Sequence, residues 1–127
     1  MLKLSEMHDG FFDGLWIAGD SWIHLFLRTS SGVRATLILG GVEAANVQDL
    51  RQGNIVLDLQ VIAPEHLTVE DIAEAYQLTP NEARQSEKLL SETKSRSLSV
   101  LNVNPSYGAQ CTFLYRSAEM VEGHVTN

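Results

Sequence analysis

A chain of 127 residues, 44% hydrophobic and 20% charged, has the size and composition of one globular domain, which excludes a largely disordered protein. Its 9 basic residues against 16 acidic ones give a net charge of -7, which opposes the clustered positive surface that nucleic acid requires. No apolar run reaches the roughly 18 residues of a membrane span, and the single cysteine excludes an intrachain disulfide and a cysteine-based structural zinc site.

The opening residues up to Met7 are mixed, with Leu2 and Leu4 suited either to a brief edge strand or to a place against the core. They hold no apolar stretch of signal-peptide length, so the expected compartment is the cytoplasm. His8 to Arg28 is the densest stretch of the chain and carries both tryptophans, three of the four phenylalanines and two of the four histidines. Within it Leu15-Trp16-Ile17 reads as a short strand, Gly19-Asp20 as a turn, and Ser21 to Thr29 as a strand with two faces. Ile23, Leu25 and Leu27 share one face of that strand, opposite Trp22, His24, Phe26 and Arg28. Large apolar groups on both faces predict a strand that is central or covered on both sides.

Ser30-Ser31-Gly32 has the length and chemistry of a hairpin turn, and Val33 to Leu39 follows as a third strand ended or bulged by Gly40-Gly41. Glu43 to Gly53 is polar enough for a loop or a single helical turn. The fourth strand follows, with Ile55, Leu57, Leu59 and Val61 expected on its apolar face. Alternation predicts one shared core of Ile23, Leu25, Leu37, Leu39, Leu57 and Leu59. Pro64 stops the sheet. Thr68-Val69-Glu70-Asp71 is a capping box, after which Val69, Ile72, Ala73 and Tyr76 share a helical face. Thr79-Pro80-Asn81-Glu82 starts a second helix, expected to run to about Thr93 before the polar run Ser91 to Ser97 loosens into a loop. Leu98 to Val103 and Ala109 to Arg116 then form a hairpin around Asn104-Pro105-Ser106-Tyr107-Gly108, and the tail from Glu119 is expected to be exposed.

These elements predict one α+β domain over residues 1–127. Its antiparallel sheet of about six strands, a meander, occupies 11–63 and 98–116, and a helical hairpin over 68–95 is inserted between the fourth and fifth strands.

Several groups of residues bear on chemistry. His8, Asp9, Asp13 and Asp20 could supply imidazole and carboxylate ligands to a divalent metal, although their spacing matches no zinc or calcium motif and Asp and Gly are also what turns require. His24 lies between Trp22 and Phe26 on one face, as a packed histidine or as a ligand or general base if that face is an open cleft. Asp58, an acid in an apolar strand, calls for water or for a partner such as Arg34 or Arg28. Cys111 sits in an apolar run and reads as a small core residue. The two helices have the cadence of a helix-turn-helix, but Arg84 and Lys88 are outnumbered by Glu82, Glu87 and Glu92 in the second, so packing on the sheet or a protein contact is the better reading.

His8-Asp9-Gly10, the Gly32 turn, Gly41-Val42 and the run from Arg51 through Asp58 resemble small bacterial domains of uncharacterised function. More distantly, they resemble polymorphic-toxin immunity proteins of the immunity-protein-50 type. The resemblance covers roughly residues 8 to 62 and implies a non-catalytic protein that binds and blocks a toxin.

The expected function is therefore that of an acidic, cytoplasmic, non-catalytic domain without a cofactor, and its partner is another protein or a second copy of the chain rather than nucleic acid or membrane. Binding is expected at His8, Asp9, Asp13, Trp22 and His24. The alternative is a small metal-dependent hydrolase using His8, Asp9 and His24.

Overall fold

The structure is a computed structural model that describes residues 2–126. Its strands are β1 (Phe11–Gly19), β2 (Trp22–Arg28), β3 (Arg34–Gly40), β4 (Ala44–Gln48), β5 (Asn54–Ile62), β6 (Ser99–Tyr107), β7 (Gln110–Tyr115) and β8 (Ser117–Glu122). All pair antiparallel in one sheet of order β4-β7-β6-β5-β1-β2-β3-β8. Helices α1 (Val69–Tyr76) and α2 (Ala83–Ser95) lie between β5 and β6.

This corrects the expected fold. The sheet has eight strands rather than about six, the helices follow the fifth strand rather than the fourth, and the order is not a simple meander. The two strands missed, β4 and β8, had read as a loop and an exposed tail. Each continues the strand before it across a bend. Arg116 N–H donates to the Gly40 carbonyl at 2.9 Å and Glu43 N–H to the Leu114 carbonyl at 2.8 Å, so the β3/β8 ladder runs on into the β4/β7 ladder. Strands that switch sheets at bends make the corners of orthogonally packed β structure. Gly41, at φ 63, supplies a left-handed step at this corner that other residues rarely adopt.

The bends fold the sheet into two facing halves, β1-β2-β3-β8 and β4-β7-β6-β5. Ile23, Leu25, Leu27, Ala35, Leu37 and Leu39 from one half meet Leu101, Val103, Cys111, Phe113 and Tyr115 from the other in a single apolar cluster. Met7, at the end of a 3₁₀ turn over Leu4–Met7, and Phe12 and Val56 complete it, while Leu2 and Leu4 lie against it. A second cluster forms on the opposite face of the second half, where Leu67 and Ala75 pack on Leu98, Val100 and Leu114. The capping box at Thr68 and Asp71 opens α1 as expected, and Gln77, left-handed at φ 56, closes it. Beneath α1, buried Asn46 donates to the Glu74 carbonyl at 2.7 Å and accepts from the Gln77 amide at 2.8 Å, tying the helix to β4.

The predicted shared core holds for Ile23, Leu25, Leu37 and Leu39 and fails in β5. The β5/β6 register shifts on both sides of Val56, so Val56 turns into the core and Leu57 out to solvent, while Leu59 is only partly buried. A bulge of this kind reverses which side chains face inward. Asp58 takes the first of its two expected places, exposed to water, where it accepts from the Asn104 amide at 2.8 Å, while Arg28 pairs with Asp13.

Among the described residues no helix is long and apolar enough to cross a membrane.

Candidate functional site

The outer face of the β1-β2-β3-β8 half is built by the alternation of β2, which turns Trp22, His24, Phe26 and Arg28 away from the core. Strand register sets their neighbours: Trp16, His24, Ile38 and Glu119 form one row across the four strands, and Phe11, Arg28 and Arg34 another. The Trp16 and His24 rings meet edge to face with centroids 5.1 Å apart. The Trp22 ring lies over Gly40, where a Cβ would come within 2.7 Å of it, so the missing side chain makes room for the indole. Trp16 and Trp22 nevertheless remain 38% and 45% exposed.

Asp13, at a bulge between Phe12 and Gly14, lies on this face with Phe11 two residues before it. There Asp13 accepts two hydrogen bonds from Arg28, from Nε at 2.6 Å and from Nη2 at 2.9 Å, while the guanidinium stacks 4.4 Å from the centre of the Phe11 ring. The hydrogen-bonded Asp13 carboxylate holds the Arg28 pKa above its ordinary value.

The end of the chain closes over the middle of the face. The Thr36 hydroxyl donates to the Gly123 carbonyl at 2.7 Å and accepts from the Val125 amide at 2.9 Å. His24 Nδ1 approaches the Val125 carbonyl at 2.5 Å, and His124 Nε2 the Leu27 carbonyl at 3.1 Å. Because a carbonyl only accepts, each ring nitrogen must carry the proton and donate. His124 also lies 3.7 Å from Asp13 and packs its ring against Phe26 at 5.2 Å. His24 is therefore a buried, satisfied histidine beneath a strap rather than the base of an open cleft.

His8 and Asp9 lie elsewhere. His8 Nδ1 donates to the Leu57 carbonyl at 2.6 Å and the Asp9 amide to the Val56 carbonyl at 2.9 Å, so this turn docks the N-terminal segment onto the β5 bulge. Their side chains are 3.5 Å apart and well exposed. Of the five expected binding residues, Asp13, Trp22 and His24 share the outer face, whereas His8 and Asp9 belong to the β5 edge. Among the described residues, no three His, Cys, Asp or Glu side chains group as metal ligands would. Cys111 is fully buried, and burial pushes its thiol up to about 12, so it stays protonated and unreactive.

Sequence reasoning missed Trp16 and His124 as members of this face and, although it placed Arg28 there, did not name it as a binding residue. Arg28 was legible from the alternation of β2. Asp13, two residues on from Phe11, reaches it on the same face, and the return of His124 from the far end of the chain has no local signal.

A further feature adjoins this face. β1 is paired with β2 along its length but with β5 only at Phe11 and Phe12, which meet Ile55 and Asn54 at the start of β5, so β1 runs on past that end of β5 and no partner for Gly14 to Gly19 is found on this side among the described residues. On the core side of this overhanging edge, Leu15 is only partly covered and Ile17 is exposed. Comparison with protein-family models, with curated proteins and with solved structures finds no match for this chain.

Proposed function

We propose that this chain is a non-catalytic, acidic, cytoplasmic domain that binds another protein. The observation that carries the reading is the apolar surface at β1, where Trp16, Ile17 and Trp22 stand exposed beside an unpaired strand edge. Tryptophan combines large contact area with few rotatable bonds, and it anchors protein interfaces for that reason. The polar groups nearby support binding rather than chemistry: Asp13 is engaged by Arg28, and His24 and His124 each hold a backbone carbonyl. The net charge of -7 favours a basic partner over an acidic one or a nucleic acid. Neutralising a toxin, which the resemblance to immunity proteins implies, is one form such binding would take.

The test is affinity capture with the full chain from its native cytoplasm, followed by purification of each captured protein and calorimetric titration against the chain. A saturable complex of defined stoichiometry is expected. Failure of every captured protein to bind in purified form overturns the reading.

A further inference from the structure

We infer that the free edge of β1 is the docking site for an extended protein segment that alternates apolar and basic side chains. This names the partner chemistry of the binding function proposed above and rests on it.

The backbone supplies the first argument. From Gly14 to Gly19, no pairing of β1 on its β5 side is found among the described residues. Natural sheets protect such edges with charged residues, proline, short length or a covering element, because unpaired amides and carbonyls template another strand. Gly14 to Gly19 contains neither a charged residue nor a proline, and Ile17 at its centre is 70% exposed. An added strand would continue the sheet through main-chain hydrogen bonds.

Side-chain direction supplies the second. Leu15 and Ile17 pair with Leu25 and Ile23 and so face the core side of the sheet, while Trp16 pairs with His24 and faces outward. A strand laid on this edge must alternate in the same way. Its inward side chains would lie beside Leu15 and Ile17 and cover them, so they must be apolar. Its outward side chains would stand beside Trp16.

Charge selects what those outward side chains carry. Asp20 lies in the turn between β1 and β2, and Glu119 ends the row that begins with Trp16. Arg28 is occupied by Asp13, and Arg34 pairs with Arg28 in the row at the other end of the face. A lysine or arginine over the Trp16 indole would meet the negative face of the ring, with Asp20 in the turn that ends β1 and Glu119 three strands away in the row of Trp16, charges that favour a cation over an acidic side chain. A second copy presenting its own β1 edge offers the backbone but no cation, and it brings another net charge of -7. The favoured occupant is therefore a basic amphipathic segment of a different protein.

The experiment titrates the isotopically labelled full chain with a capped peptide of alternating valine and lysine, about nine residues long, and with its glutamate-for-lysine counterpart, read by amide and indole NMR shifts. The lysine peptide is expected to shift and protect the amides of Gly14 to Gly19 and to shift the Trp16 indole, and the glutamate peptide is not. Ile17→Lys, at an exposed position that should leave the fold intact, is expected to weaken the lysine peptide at least about tenfold by adding an edge charge, and Trp16→Ala to weaken it similarly. The inference is overturned if the lysine peptide maps to another surface, if both peptides bind alike, or if neither shifts these amides at millimolar concentration. It is also overturned if sedimentation shows a dimer that Ile17→Lys dissolves. A purified natural partner that binds wild type and Ile17→Lys equally sinks this surface and leaves the protein-binding reading standing. Absence of any partner removes both.

Discussion

Val56 and Leu57 offer a direct measure of the β5 bulge, because strict alternation and the structure rank them in opposite order. Val56 is 2% exposed within the main apolar cluster, and Leu57 is 44% exposed. Val56→Ala removes two buried carbon groups at about 0.8 kcal/mol each, and a closely packed site that relaxes only partly adds a cavity cost, for a total of about 2–3 kcal/mol. Leu57→Ala removes three carbon groups from a site little more than half covered and leaves no closed cavity, which amounts to about 1 kcal/mol or less. The smaller truncation should therefore cost more. Urea unfolding followed by tryptophan fluorescence should show the midpoint falling by about 1 M for Val56→Ala and by less than half of that for Leu57→Ala, with unchanged slope. A larger loss for Leu57→Ala than for Val56→Ala would refute the register shift and restore the simple alternation.

Three other outcomes follow from single groups. Asn54 is buried, accepts from the Arg51 and Ala109 amides and donates to the Phe12 and Arg51 carbonyls, so Asn54→Ala should cost about 3 kcal/mol or more in urea unfolding, and a loss below about 1 kcal/mol would contradict that role. The Cys111 thiol, raised by burial from 9.0 to about 12, should resist an aromatic disulfide reagent until the protein is unfolded, and fast labelling of the native state would contradict it. Since the folded state then holds its proton longer than the unfolded state, this thiol's contribution is full below pH 9.0 and is lost as pH rises toward about 12. The Glu82 carboxyl is held below its usual range by the Thr79 amide first and the Thr79 hydroxyl second, so its contribution is present above the ordinary carboxylate pKa and lost as pH falls through the lowered one. Thr79→Ala, which removes only the hydroxyl, should move the Glu82 NMR titration upward, and an unmoved titration would show that the hydroxyl contributes nothing.

What the sequence determined by itself was local and periodic. The alternation of Ile23, Leu25 and Leu27 against Trp22, His24, Phe26 and Arg28 was sufficient to orient β2, because a strand's side-chain period of two is fixed by its backbone. The cap at Thr68 and the start at Thr79-Pro80 likewise follow from unsatisfied amides at a helix N-terminus, which need partners whatever the surroundings. Burial of Cys111 in an apolar run belongs to the same class. The tertiary structure decided everything that depends on a partner strand. The bends after Gly40 and at Arg116 turned an apparent loop and an apparent tail into β4 and β8, because each extension becomes regular only where the other supplies hydrogen bonds. The bulge at Val56 exchanged core and surface residues through the β5/β6 register, and pairing between strands distant in sequence leaves no mark on the strand's own pattern. The candidate site shows both levels. Trp22 and His24 were placed on one face by local period, while the pairing of Asp13 with Arg28 needed the β1/β2 register and the strap came from the distant chain end. The free edge of β1 exists because β5 begins at Asn54, opposite Phe12, so β1 from Gly14 onward overhangs the strand it would otherwise pair with, a register that only the tertiary structure sets.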